Sequence, residues 1–202
     1  MKRIVLLVLL AMALPMAAFA GNIDFNNTGG TLTGSSAGLT LTGSNLTGTT
    51  LGLGTCSTAV PCGTVSFTTA AMTSGDVVNG GTFAAGGTFM IVGNGTDGLP
   101  AGAIFAGTFS EPVKWIPDGI IGVDGTISYT LTGRVSGMYN GTMVSGATTQ
   151  LTFDTGKAGF QGSVGLSSGD TAITTVPEPG TLGLLGTGMV GLAGVIRRKL
   201  KA

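Results

Sequence analysis

The chain has 202 residues, which is enough for one domain and short processing segments, and its formal net charge at pH 7 is zero. Only 9% of the residues are charged and 38 are glycine, unlike an ordinary soluble enzyme, in which about a quarter of the residues are charged. Between residues 21 and 175, three basic residues stand against eight acidic ones, a net charge of −5 that argues against binding to nucleic acid.

The N-terminus has the layout of a secretory signal peptide. A basic start is followed by an apolar run over residues 4–14, and Ala18 and Ala20 then form an Ala-x-Ala cleavage site. We therefore predict that residues 1–20 are a signal peptide that is cleaved after Ala20.

Residues 21–175 predict an exported, glycine- and threonine-rich β domain. Apolar residues recur with period two, most clearly at Ile127, Tyr129 and Leu131, and Asn-Gly or Asp-Gly turn pairs separate these runs. The spacing predicts an all-β, antiparallel β-sandwich or jelly-roll-like fold. A β-solenoid is the alternative, because Thr-Leu-Thr-Gly units recur between residues 31 and 48. We expect residues 167–176 to be a linker.

Cys56 and Cys62 are the two cysteines of the chain, and both lie in the exported part. An even number of cysteines in an oxidising compartment predicts a disulfide bond. A zinc ion would need two further ligands and the chain contains no histidine, so we expect no metal here.

The sequence offers little catalytic chemistry. The absence of histidine excludes Ser-His-Asp and Cys-His triads. Glu111 with Asp118 or Asp124 is the candidate carboxylate pair of a glycosidase, but both aspartates precede glycine, where turns favour aspartate for backbone reasons. The same turn chemistry accounts for the oxygen-rich segments 94–98 and 118–124, which match no calcium-binding loop. We therefore expect a protein that is not an enzyme and has no cofactor.

Aromatic residues suggest a second kind of function. Trp115, Tyr129 and Phe109 are candidates for a platform on which sugar rings stack, as in a carbohydrate-binding module. A core position is the competing interpretation for Trp115, because Val113 and Trp115 share one face of the predicted strand.

The last 27 residues form a tail of three parts. These parts are the motif Val176, Pro177, Glu178 and Pro179, the glycine-rich apolar stretch 180–196, and the basic end 197–201 with Arg197, Arg198 and Lys199. At about 1.5 Å per residue the apolar stretch spans about 25 Å, near the lower limit for crossing a membrane. We predict one transmembrane helix, whose basic end stays in the cytoplasm.

This arrangement resembles the tail of PEP-CTERM proteins of Gram-negative bacteria, and the resemblance covers residues 176–202. It implies that an exosortase, a membrane enzyme similar to a cysteine transpeptidase, recognises the tail and cleaves near Pro-Glu-Pro. It also implies transient anchoring in the inner membrane, then a location at the cell surface or outside the cell, and association with exopolysaccharide or biofilm matrix. The expected function is a non-catalytic surface or matrix protein, with a carbohydrate-binding module acting on the cell's own polysaccharide as the alternative.

Overall fold

The computed structural model describes residues 21–51, 54 and 56–175, and within them the chain forms twelve β-strands and no helix. The strands are β1 (Gly21–Thr28), β2 (Thr31–Ser35), β3 (Gly38–Thr49), β4 (Gly63–Thr68), β5 (Met72–Asp76), β6 (Gly80–Phe83), β7 (Gly86–Asn94), β8 (Ala101–Phe109), β9 (Val113–Asp118), β10 (Thr126–Tyr139), β11 (Thr142–Gly156) and β12 (Ser163–Thr175).

The described strands form one antiparallel sheet that follows the chain as a meander. β1 and β2 follow each other along β3, and β8 and β9 follow each other along β10, so each of these pairs acts as one interrupted strand. β12 pairs with β11 on one side and adjoins β1 and β2 on the other. The sheet therefore returns to its first strand and closes. The predicted all-β antiparallel fold is confirmed, and a β-solenoid does not fit, because its strands would stack in parallel.

The predicted turns lie between the strands as expected. In the β10–β11 hairpin, Asn140 and Gly141 have φ angles of 45° and 82°. Two successive positive φ angles give the turn a twist that matches that of the flanking strands, which is why Asn-Gly is favoured in tight hairpins. Asn79-Gly80 and Asn94-Gly95 also lie where β5 connects to β6 and β7 to β8, but in these pairs only the glycine has a positive φ angle, 89° at Gly80 and 85° at Gly95.

The period-two pattern places apolar side chains inside the closed sheet. Ile127, Tyr129 and Leu131 of β10 are completely buried, while Ser128 and Thr130 between them face outward and are partly exposed. β8 departs from this alternation, because Ile104 and Phe105 are both buried. The pairing register shifts opposite these residues, so Ile104 is the extra residue of a β-bulge that turns both side chains inward.

Two aromatic groups fill the core. The first contains Phe67, Phe89, Phe105 and Phe109, and the second contains Trp115, Tyr129, Phe153 and Phe160. Most contacts in the first group are edge-to-face, at centroid distances such as 5.9 Å between Phe89 and Phe109. Aromatic pairs of this geometry contribute about 0.5–1.5 kcal/mol beyond the burial of their area.

One glycine inside the sheet is required by its neighbours. A Cβ atom on Gly169 of β12 would lie 2.3 Å from Cδ2 of Leu151 and 2.5 Å from Oδ1 of Asn27. Asn27 is 2% exposed, and its Nδ2 donates a hydrogen bond of 2.7 Å to Oγ of Ser44. A larger residue at position 169 would therefore have to displace the ends of the Leu151 and Asn27 side chains.

The expected linker over residues 167–176 is wrong for most of its length. β12 extends to Thr175, and its side chains Thr171 and Ile173 are fully buried. The segment is rich in serine, threonine and glycine, and that composition predicted a linker. Pairing with β11 nevertheless orders the segment and makes it the strand that closes the sheet.

Candidate functional site

A polar groove of about 370 Å³ crosses the outer surface of the sheet from β9 to β12. Lys114 of β9 pairs with Thr132 of β10. Thr132 pairs in turn with Gln150 of β11, and Gln150 pairs with Asp170 of β12. Since paired strands lie about 4.8 Å apart, the four outward side chains form a row about 14 Å long.

An ion pair lies at the rim of this groove. Nη1 of Arg134 is 3.7 Å from Oε1 of Glu111, and both side chains are more than half exposed, so the pair contributes at most about 1 kcal/mol. Arg134 and Lys114 are two of the three basic residues between positions 21 and 175. The groove therefore concentrates the few cations of a predominantly acidic domain.

The carboxyl group of Asp170 is perturbed by its place in the groove. Partial burial raises its pKa above the ordinary value, and the negative charge of Asp24 raises it further, against an opposing hydrogen bond from the backbone N–H of Thr171. The groove thus combines an ammonium group, a hydroxyl, an amide and a carboxyl group. This is a set of hydrogen-bonding groups suited to a polar polymer.

The aromatic residues predicted to stack on sugar are buried, so that part of the carbohydrate hypothesis is wrong. Trp115 and Tyr129 are 0% exposed, and Phe109 is 1% exposed. The indole Nε1–H of Trp115 donates to the carbonyl of Val77 at 2.9 Å. Tyr129 stacks on Trp115 with ring centroids 4.6 Å apart. These rings hold the core together and present no face to a ligand.

The candidate carboxylate pair is not assembled at one place. Glu111 precedes β9 and Asp118 ends it, so they are separated by about 20 Å of extended chain. Asp124 accepts a hydrogen bond from the backbone N–H of Ile120 and fixes the β9–β10 loop. The catalytic carboxylates of glycosidases lie about 5–10 Å apart, and these positions do not provide that arrangement.

Cys56 and Cys62 form the predicted disulfide bond, with Cα atoms 5.4 Å apart. Oδ2 of Asp97 lies 3.0 Å from Sγ of Cys56. The two bonded sulfur atoms carry no thiolate charge, so this trio does not offer the ligands of a zinc site. The disulfide ties the β3–β4 connection to the start of β4.

The groove residues Lys114, Gln150 and Asp170 were not singled out by the sequence analysis. Each occupies an outward position of its strand, which the alternation could have indicated. Their meeting depends on the register between four strands, and the sequence carries no direct signal of that register.

The predicted processing residues lie outside the described residues. They are Ala18 and Ala20 at the cleavage site, Val176, Pro177, Glu178 and Pro179 in the sorting motif, the stretch 180–196, and Arg197, Arg198 and Lys199 in the basic end. Across residues 21–51, 54 and 56–175, no helix is long and apolar enough to cross a membrane.

Comparison with known protein families finds a match that is confined to this tail. A family model described as the PEP-CTERM protein-sorting motif matches residues 175–199. No curated protein and no solved structure matches the chain. The resemblance of the tail is thereby confirmed. The chain carries the sorting signal of an exported protein that is processed by an exosortase, joined to an all-β domain.

Proposed function

We propose that this chain is a non-catalytic protein of the cell surface or extracellular matrix, displayed after an exosortase has removed its tail. The match of residues 175–199 to the sorting motif carries this proposal. The described domain supports it, because a closed β-sheet with a disulfide bond suits an oxidising environment outside the cell. The dispersed carboxylates support a role other than hydrolysis.

Mass measurement of the protein recovered from the surface of an exosortase-producing host tests this function. The mature protein should lack residues 1–20 and end near the Pro-Glu-Pro motif. The substitution Glu178→Ala should leave the precursor in the membrane fraction with its tail intact. The matched control Glu111→Ala makes the same change at an exposed position of the domain and should be processed as the natural chain is.

Two results would contradict the proposed sorting. One is a surface form of the natural chain that still carries the basic end 197–201. The other is normal processing of the Glu178→Ala variant. Hydrolysis of the host's polysaccharide by the purified domain would contradict the non-catalytic role alone.

The groove supports a second candidate function, binding of the cell's own polysaccharide. The observation that favours it is the row of Lys114, Thr132, Gln150 and Asp170 across four strands. A row about 14 Å long offers hydrogen bonds to about three successive sugar units, without aromatic stacking.

The affinity of the domain for polysaccharide purified from the host tests this second function. Lys114→Ala should weaken binding about tenfold, the equivalent of about 1.4 kcal/mol for one lost polar contact. The control Lys157→Ala removes a cation outside the groove and should bind normally. Equal affinities of these two variants would refute binding in the groove.

A further inference from the structure

Three Asn-Gly pairs lie at the turns of the described domain. They are Asn79-Gly80 between β5 and β6, Asn94-Gly95 between β7 and β8, and Asn140-Gly141 between β10 and β11. Besides favouring turns, asparagine before glycine is chemically reactive. Glycine has no side chain to shield its backbone nitrogen, and this nitrogen can attack the side-chain amide of the asparagine before it.

The reaction exchanges the side-chain amide nitrogen for the backbone nitrogen of the glycine. A bond forms from that backbone nitrogen to Cγ of the asparagine, the bond from Cγ to Nδ2 breaks, and the proton of the glycine N–H leaves with the released ammonia. The product is a succinimide ring. Water then adds to one of the two ring carbonyls. Opening at Cγ yields aspartate, and opening at the backbone carbonyl yields isoaspartate, in which the main chain runs through the former side chain.

The side chain of Asn94 is held by its neighbours. Its Nδ2 donates a hydrogen bond of 2.9 Å to the carbonyl of Pro61, and its Oδ1 accepts one of 3.1 Å from the backbone N–H of Thr96. The hydroxyl of Thr96 donates a further hydrogen bond to the same Oδ1. Attack at Cγ makes this carbon tetrahedral and expels Nδ2, so the hydrogen bond to Pro61 has to break before the ring can form.

The pair Asn79-Gly80 is restrained in two ways. Nδ2 of Asn79 donates a hydrogen bond of 2.9 Å to Oδ2 of Asp76, and that bond is lost when Nδ2 leaves. The backbone of Gly80 also packs closely against β9, because a Cβ atom on Gly80 would lie 2.5 Å from Cδ of Pro117. Ring closure changes the backbone at this glycine and therefore has to move it against β9.

The pair Asn140-Gly141 has neither restraint. Both residues are exposed, and the side chain of Asn140 forms no hydrogen bond with any residue that the structure describes. A Cβ atom on Gly141 would meet nothing within 4 Å. The backbone N–H of Asn140 donates to the carbonyl of Ile104 at 3.1 Å, but this group takes no part in the reaction. The amide and the attacking nitrogen are therefore open to each other and to water.

We propose that Asn140-Gly141 is a site of spontaneous deamidation, at which the exported domain converts Asn140 into aspartate and isoaspartate as it ages. The contacts of Asn79 and Asn94 preserve those two residues. Isoaspartate adds one atom to the main chain of the tight loop between the paired residues Tyr139 and Thr142. Because loop length selects the turn type of a hairpin, this product destabilises the end of the β10–β11 pairing.

Incubation of residues 21–175, which contain the twelve described strands, at mildly alkaline pH tests the proposal. Peptide mapping by mass spectrometry measures the loss of each asparagine, and an isoaspartate-specific methyltransferase labels the isoaspartate product. In the folded domain, Asn140 should react at least about tenfold faster than Asn79 or Asn94, the equivalent of one hydrogen bond of about 1.4 kcal/mol. In the urea-unfolded chain, which lacks these contacts, the three asparagines should react at similar rates.

Asn140→Gln and Asn140→Asp are the matched variants. Glutamine would have to close a larger ring, so aging should leave the urea midpoint of this variant unchanged, whereas the natural domain should lose stability. Asn140→Asp carries the aspartate product and should stay close to the fresh natural domain, since Asp-Gly suits the same turn. Equal rates at the three sites of the folded domain would overturn the proposal. So would an Asn140 that reacts only in the unfolded chain, or an equal loss of stability in aged Asn140→Gln.

Discussion

Replacing Trp115 by alanine should remove a large part of the stability of the domain. The side chain is completely buried between three aromatic rings, Tyr129, Phe153 and Phe160, at centroid distances of 4.6, 5.6 and 5.7 Å. Truncation of a buried tryptophan costs about 3–5 kcal/mol through lost contacts and the cavity that remains. A domain of this size has a total stability of about 5–15 kcal/mol, so the loss is at least about a fifth of the total and could equal it.

Trp115→Phe separates the two contributions of this side chain. Phenylalanine retains a ring against Tyr129 but has no N–H group, so the carbonyl of Val77 loses its hydrogen bond. An unpaired buried acceptor costs about 1–3 kcal/mol, which places this variant between the natural chain and Trp115→Ala. The neighbouring Ile116 is 51% exposed, and Ile116→Ala should change stability by no more than about 0.5 kcal/mol.

Urea unfolding followed by far-ultraviolet circular dichroism measures these differences, because the replacements remove the one tryptophan that fluorescence would follow. At equal slopes, the shift in unfolding midpoint gives the change in free energy of unfolding. A loss below about 1 kcal/mol for Trp115→Ala would refute the buried position of Trp115. Loss of sugar binding with unchanged stability would restore the stacking platform that the structure excludes.

Three further predictions concern other parts of the domain. Cys62→Ser should lower the free energy of unfolding by about 2 kcal/mol, because it removes the disulfide bond. A reductant should destabilise the natural chain by the same amount and leave the variant unchanged. Labelling of Cys56 in the natural chain by a maleimide without prior reduction would contradict the disulfide bond. Gly169→Ala should cost about 1–3 kcal/mol in urea unfolding, whereas Gly125→Ala meets nothing within 4 Å and should be nearly neutral, so equal midpoints would refute the packing argument. Hydrogen bonds from the hydroxyl groups of Ser128 and Ser167 hold the pKa of Asp154 below its ordinary value. The ionised carboxylate therefore stabilises the fold at pH values above its pKa in the unfolded chain, and this stabilisation is lost as the pH falls through its lower pKa in the folded chain. Asp154→Asn should be less stable at pH 7 and lose less stability on acidification, and identical acid profiles would refute this.

The strands and turns of the domain were largely predictable because two local patterns agree. Alternation at Ile127, Tyr129 and Leu131 specifies which face is buried, and Asn140-Gly141 specifies where the chain reverses. β12 was missed because its buried residues are separated by serine, glycine and aspartate, a composition typical of linkers. Its order comes from pairing with distant strands, and such long-range contacts leave no mark on the local sequence.

The candidate site was harder to predict than the fold. A core position for Trp115 was correctly indicated by the sequence, because Val113 and Trp115 share one face of the strand. The same side chain was also the best candidate for stacking on a sugar ring. Sequence alone could not decide, because the choice depends on what covers the ring. The groove depends on the register across four strands, which places Lys114 in line with Asp170.

The closure of the sheet joins the first strand of the domain to the last. Oγ1 of Thr174 in β12 donates a hydrogen bond of 3.4 Å to Oδ1 of Asn22 in β1, and Oγ1 of Thr28 donates one of 2.8 Å to the carbonyl of Ser167. A chain that is exported with its N-terminus first cannot complete this core until residue 175 has crossed the membrane. Folding is thereby timed by the end of translocation, when the sorting tail itself reaches the membrane. Until then the strands that have already crossed have unpaired edges, and the exported chain needs protection from aggregation throughout translocation.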